Sequence, residues 1–183
     1  MTWEFRPYEG YGPLSFGRTQ AQAIALLGTP KAVINSYESL RPIMDVVGDG
    51  YLSEHFIEVM QRQSTMQFAD SASNNQRPEL VFSGDELVGF CLQHRDDRLL
   101  VHGVNIWGKQ RAAIIKALAG HERVMLFDGA DYYFESVGLR ITAPRFWQEK
   151  GSIGLYSRQG FDEAMDLAGP YEYTPDEITG KER

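Results

Sequence analysis

The feature that most constrains this chain is a unit that occurs twice. The stretch GPLSFG, Gly12 to Gly17, has the form glycine, three residues, an aromatic, glycine, and GVNIWG, Gly103 to Gly108, repeats that form ninety-one positions later. Each runs straight into a helical pattern that stops at a further glycine, RTQAQAIALLG in the first case and KQRAAIIKALAG in the second. Strand-like segments with turn signals follow both. One helix on a small sheet buries little apolar surface, whereas two such units packed together share a core. The repeat therefore predicts an α+β protein of two similar units, each a short helix or helices packed on a small antiparallel sheet. The units are expected over 12–96 and 97–168, with an N-terminal arm over 1–11 and a polar C-terminal tail over 169–183.

Local signals fill in this outline. Thr19 suits an N-cap, Ala23, Ile24 and Leu27 form one apolar stripe, Gly28 suits the position after the helix, and Pro30 stops it. A second helix is read in GYLSEHFIEVMQRQ, where Leu52, Phe56, Val59 and Met60 fall at i, i+4, i+7 and i+8; the rest of 31–66 gives a mixed signal. Residues 69–78, ADSASNNQRP, read as a breaker-rich loop, and Ser83-Gly84-Asp85 marks a hairpin. In the second unit, 99–104 reads as a strand and 109–119 as a helix with Ile114, Ile115 and Leu118 on its stripe. Further strands follow about an Asp128-Gly129 turn and a hairpin at Glu149-Lys150-Gly151, and QGFDEAMDLA reads as a short helix or turn.

Charge and composition exclude some partners. The 183 residues hold 25 acids against 18 bases, a net charge of −7. Non-specific nucleic-acid binding needs a positive field, so no nucleic-acid partner is expected, while a basic protein partner is compatible with this sign. No apolar run approaches the roughly 18 residues of a membrane helix, so no membrane partner is expected. The opening residues, MTWEFRPYEGYG, show no basic start, apolar stretch or small-residue cleavage site, and a cytoplasmic location is the expectation. A single cysteine, Cys91, leaves no internal disulfide.

Motifs for chemistry are scarce. The histidines His55, His94, His102 and His121 show no zinc-helix spacing, and no metal site is expected. Phosphate-loop, dinucleotide and nucleophile-elbow motifs are missing, so no cofactor is expected. Cys91, His94 and His102 lie close enough in sequence to keep a small cysteine enzyme open, although the setting LVGFCLQH favours a buried thiol acting as a small hydrophobe. Asp96 and Asp97 in HRDDR read as a solvated turn joining the halves. Asp128 and Asp131 in FDGAD suit a hairpin better than a cation loop, because the other ligands of a calcium loop are missing.

The unusual feature is aromatic. Tyr132, Tyr133, Phe134, Phe146, Trp147 and Tyr156 fall within twenty-five residues. Strand alternation puts Asp131, Tyr133 and Glu135 on one side. Tyrosine and tryptophan with flanking charge form the type of surface that anchors protein interfaces, whereas Phe134 and Phe146 read as core. The candidate partner-binding residues are Asp128, Asp131, Tyr133, Glu135, Trp147 and Glu149.

The segment LSFGRTQAQAIALLGTP resembles the opening of the helix-plus-antiparallel-sheet units in the β-lactamase-inhibitor-protein and outer-membrane assembly lipoprotein folds. It is also similar to a loosely related group of bacterial cytosolic proteins, many encoded beside toxins as their immunity partners. Gly17, Thr19, Ile24, Leu26, Leu27, Gly28 and Pro30 match, and Arg18 stands where methionine is usual. The match covers some seventeen residues, about a tenth of the chain, and speaks to fold before function. A secreted inhibitor would carry disulfides and a lipoprotein would need a cysteine near its N-terminus, so the resemblance implies the cytosolic branch. By analogy the chain is expected to be an immunity protein that binds and blocks a protein toxin by steric and electrostatic occlusion, catalysing no reaction. Two alternatives stay open. A deep pocket with converging polar groups would favour a small enzyme, and a closed apolar cavity between the halves would favour a small-molecule-sensing domain.

Overall fold

A computed structural model describes residues 4–47, 52–68, 77–93, 99–107, 111–121, 123–127, 131–142, 152–168 and 171–173. Three two-residue strands come first, β1 (Phe5–Arg6), β2 (Gly10–Tyr11) and β3 (Leu14–Ser15), paired antiparallel. The expected arm over 1–11 is thus tied into the first unit, with Tyr11 only 2% exposed. Helix α1 (Gln20–Leu27) begins in a capping box: the Thr19 hydroxyl accepts from the Gln22 N–H, and the Gln22 side chain accepts from the Thr19 N–H. Gly28 closes it at φ +86°, its N–H donating to the Ile24 carbonyl. The apolar stripe is narrower than expected. Ala23 and Leu27 are buried, but Ile24 is 37% exposed, because a two-turn helix resting on a sheet buries little more than its i, i+4 line.

The region of mixed signal resolves into β4 (Ala32–Asn35), α2 (Ser36–Val47), α3 (Glu54–Arg62) and β5 (Gln63–Gln67). Pro42 lies inside α2, which masks the helix in a propensity reading. The hairpin expected at 83–85 joins β6 (Glu79–Ser83) to β7 (Glu86–Leu92), with Gly84 at φ +61°. The expected strand at 99–104 is instead a tight hairpin of β8 (Leu100–Val101) and β9 (Val104–Asn105), turned by His102 and Gly103 at positive φ. Helix α4 (Arg111–Ala119) follows, with Ile114, Ile115 and Leu118 buried as the pattern requires. Strands β10 (Val124–Phe127), β11 (Asp131–Phe134), β12 (Leu139–Thr142) and β13 (Ser152–Tyr156) come next, then α5 (Arg158–Ala168) and β14 (Tyr171–Tyr173). The expected C-terminal tail therefore contains an edge strand. The turns at Asp128-Gly129 and Glu149-Lys150-Gly151, and most of the 69–78 loop, lie outside the described residues.

Among the described residues the longer strands form one nine-stranded sheet, ordered β14-β10-β11-β12-β13-β7-β6-β5-β4. Each half supplies a four-strand antiparallel meander, and the two join last strand to last strand through β13 and β7. The protein is α+β, with helices packed on antiparallel sheet. Helices α2 and α3 fall between the first two strands of the first meander, whereas α5 and β14 follow the second meander.

Register shows why this sheet holds together. Met66, Leu80, Phe90, Leu155, Leu139, Phe134 and Val124 are partners in turn across seven neighbouring strands. Each is at most 2% exposed. Residues of α1, α4 and both small hairpins join them in one cluster, among them Leu27, Leu118, Leu14 and Ile106. Full burial of such a side chain contributes roughly 1.5–3 kcal/mol, so this row is the backbone of the core.

Candidate functional site

One residue along each strand, the row changes character. Glu79, Cys91, Gly154, Arg140, Tyr133 and Met125 are partners in turn, and the strand period of two sends them to the opposite face. Helix α5 lies across β7 and β13, and α3 lies beside β5 and β6. Between these helices and the polar face is a cavity of about 450 Å³. Its floor carries Glu79, Cys91, Arg140, Tyr133, Tyr156 and Thr65; Phe56 and Met60 of α3 and Ala164 and Leu167 of α5 form the walls.

Both helices are set by local chemistry. Ser53 caps α3, its hydroxyl accepting from the Phe56 N–H at 3.1 Å, and the buried Val59 fixes which side faces inward. Ser157 caps α5 in the same way, accepting from the Gly160 N–H at 3.0 Å. Gly160 lets α5 rest directly on β7, since a Cβ there would stand 2.4 Å from the Val88 carbonyl oxygen. Two further glycines serve a ring. A Cβ on Gly154 would stand 2.5 Å from a ring carbon of Tyr156, and one on Gly89 would stand 3.0 Å from the same ring. Gly89 and Gly154 thus form a slot across β7 and β13 in which the Tyr156 ring lies.

Arg140 organises the floor. Its Nε and Nη2 donate to Asp131 Oδ2 at 3.1 and 2.6 Å, and its guanidinium sits 5.6 Å from the centre of the Tyr133 ring. It also hydrogen-bonds the Tyr156 phenol. These bonds do not exhaust the five N–H donors of a guanidinium. Tyr133 in turn packs edge-to-face on Phe161, with ring centres 6.0 Å apart.

Three floor groups, Cys91, Tyr133 and Tyr156, are neutral near pH 7. Burial, helped by the nearby Glu79 carboxylate, pushes the Cys91 thiol up to about 11 against opposing effects of Ser152 and Arg140. Burial pushes the Tyr133 phenol up to about 12; Arg140 opposes this and Asp131 and Tyr156 add to it. Burial likewise raises Tyr156. Cys91 is therefore held as the thiol, the form that is not nucleophilic. Glu79 accepts a hydrogen bond from Gln67 at 2.7 Å. Beyond it a smaller depression of about 110 Å³, bordered by Lys31 and Arg77, shares Glu79 and Cys91 with the cavity.

The sequence-derived candidates separate. Asp128, Trp147 and Glu149 lie outside the described residues, as does Phe146. Asp131 and Tyr133 do share a face, but not an open one: they are 6% and 1% exposed. For these two residues the expectation of a solvent-facing surface is corrected: Phe161 of α5 packs on Tyr133, and Arg140 takes the Asp131 carboxylate. Glu135 leaves the strand in a 3-10 turn (Glu135–Val137) and faces Arg158 at 3.6 Å, with about half its side chain exposed. Phe134 belongs to the core, as expected. Cys91, His94 and His102 form no site among the described residues: His94 lies outside them, and His102 sits on the β8–β9 hairpin against the opposite face, its ring stacked 5.0 Å from that of His121.

Arg140, Glu79 and the two slot glycines were not singled out by the sequence, and Tyr156 was noted only as one of a cluster of aromatics. The usable signal was strand alternation in LRIT, SIGLY and ELVFS, which places each with its row once the strand order is known. Among the described residues, no group of three or more His, Cys, Asp or Glu could hold a metal ion, and no helix is long and apolar enough to cross a membrane. No protein-family model, curated protein or solved structure matches the chain.

Proposed function

We propose that this is a binding protein whose ligand is a small organic molecule held between α3, α5 and the polar face of the sheet. The observation that carries this reading is the roofed polar row. A polar surface placed under two helices is costly to desolvate unless it is satisfied or put to use. Here the helices do not close onto it; they leave about 450 Å³, within the roughly 300–1,000 Å³ typical of small-molecule sites. The mixture of apolar walls and a few convergent polar groups is the composition such sites have. Binding is preferred to catalysis because Cys91 is a protonated thiol and no nucleophile–base pair is among the floor residues.

The test is a screen of small organic fragments by ligand-observed NMR on the wild type and on Ala164→Phe. The substitution fills the cavity from the α5 wall. Hits that lose at least tenfold in affinity in a variant that still melts cooperatively are the expected result. An absence of hits, or hits indifferent to Ala164→Phe, would overturn the reading.

A second reading, the immunity protein suggested by sequence resemblance, is favoured by a different observation. Val33 and Ile34 of the edge strand β4 are 53% and 39% exposed, and Ile43 and Val46 of α2 are 58% and 84% exposed. Grouped apolar exposure beside an unpaired strand edge is the kind of surface a protein partner covers. A blocked toxin would then be gripped at this end of the sheet and not through Asp131 and Tyr133. Co-expression with the product of an adjacent toxin gene tests it. Rescue that disappears with Val46→Asp supports the reading; a neighbour that is harmless alone, or that kills despite this protein, removes it.

A further inference from the structure

We infer, resting on that reading of the cavity, that its ligand is a small carboxylic acid with an apolar body, the carboxylate on Arg140 and Tyr156 and the body between α3 and α5. Three features converge on this class. The first is a fixed cation. Asp131 takes Nε and Nη2 of Arg140, and the Tyr156 ring is wedged over Gly89 and Gly154, so the guanidinium and the phenol are both held before any ligand arrives. A planar guanidinium whose orientation is set from behind is suited to receive a carboxylate through its remaining N–H groups. Its side chain is 31% exposed, so it is partly desolvated yet reachable.

The second feature is the balance of charge. Among the described residues, the charged groups lining the cavity are Arg140 and Glu79, and Lys31 and Arg77 border the adjoining depression. Asp131 lies behind Arg140 and is taken by it, and Lys31 and Arg77 flank Glu79 on its far side. Glu79 is separated from Arg140 by Cys91 and Gly154, three strand steps or roughly 14 Å between Cα atoms. It is held by Gln67, so an acid seated on Arg140 does not meet it. Glu163 of α5 is occupied elsewhere, accepting from Gln63, Ser83 and Gln159. An amine seated there, by contrast, would meet the Arg140 cation, with Glu79 three strand steps away and held by Gln67.

The third feature is the wall. Phe56, Met60, Val81 and Leu167 give an apolar lining with no further charge to satisfy. Two charged ends on one ligand would leave one of them against this surface, so a single acid group on an apolar body is the complementary shape.

Isothermal titration at pH 7 tests the class. The ligands are phenylacetate, 3-phenylpropanoate and 4-phenylbutanoate, each with its carboxamide and the amine of equal length. At least one acid is expected to bind ten times tighter than its carboxamide and tighter still than its amine. The double variant Asp131→Asn/Arg140→Gln replaces the ion pair by two hydrogen-bonding amides, which keeps the floor filled. It is expected to abolish the preference for acid over carboxamide in a protein that still melts cooperatively. An amide or amine that binds as well as the acid, or a preference that survives the double variant, overturns the inference. If no member of the series binds while other fragments are lost in Ala164→Phe, the acid class is wrong and the cavity reading stands. If nothing binds at all, the cavity reading falls first.

Discussion

The two faces of the sheet are one residue apart and obey different rules. Leu80, Phe90, Leu155, Leu139 and Phe134 are sealed beneath α1, α4 and the small hairpins. Their immediate neighbours Glu79, Cys91, Gly154, Arg140 and Tyr133 are polar, small or paired, and are roofed loosely by α3 and α5. The strands and their ladders are common to both. What differs is the number of apolar partners each side chain meets, and so the work each row does. A sheet clamped firmly from one side can carry charge and empty volume on the other. Helices α1 and α4, with the short strands that precede each, build the sealed face; α3 and α5 build the open one.

The sharpest contrast is between adjacent residues. Phe90 is fully buried against Tyr11 and Phe16, and Phe90→Ala is expected to cost about 3–5 kcal/mol. Cys91→Ala, one position on, removes a thiol bordering an existing cavity and is expected to cost under about 1.5 kcal/mol. Urea denaturation of the two variants measures the difference. Equal losses would mean that the polar face is packed as tightly as the core, and the distinction between the faces would be gone.

A smaller effect comes from within the polar row. Asp131→Ala leaves the Arg140 guanidinium without its carboxylate, and about 1–3 kcal/mol is expected, below the value for a fully buried pair because Arg140 is 31% exposed. Adding Arg140→Met to that variant is expected to return most of the loss, since the cost lies in stranding a charge and not in losing the pair itself. A double-mutant cycle reads the coupling. Strictly additive losses would show that the two side chains act independently, and the preorganisation attributed to Asp131 would lose its basis.

How far the sequence foretold each face follows from how local its signals are. The N-cap at Thr19, the Gly84 turn and the inward stripe of α4 are written within a few residues and were readable. So was the alternation that puts Asp131 with Tyr133. Helix α2 was lost because Pro42 breaks its pattern, and Ile24 was misplaced because a short helix does not bury a full stripe. The cavity was not readable at all. Its floor requires β7 to lie beside β13, a pairing between residues more than sixty positions apart, with the second meander running back toward the first. Until that order is known, Arg140 and Tyr156 look like ordinary strand residues, and Tyr133 looks as much like a surface anchor as a floor residue.

At neutral pH the smallest expected effect is nil, because it appears only in alkali. Cys91 has its pKa moved from an ordinary 9.0 to about 11, and Tyr133 from 10.0 to about 12, burial being the main cause of each. The folded state therefore keeps these protons after the unfolded chain has begun to lose its own. Where the native state binds more protons, stability falls as pH rises. The contribution is complete below about pH 9 and declines between about 9 and 11 for the thiol, with the phenol following one unit higher. Denaturation curves collected from pH 8 to 11 are expected to show this decline, with a shallower slope in Cys91→Ala and an unchanged one in Phe90→Ala. Alkylation of the native protein by iodoacetamide gives an independent reading of the same proton, since its rate follows the thiolate and is expected to stay well below that of a free cysteine at pH 8.5. A thiol that reacts like free cysteine at that pH, or a slope that Phe90→Ala alters as much as Cys91→Ala does, would mean that protonation on the polar face is not governed by the roof that α3 and α5 place over it.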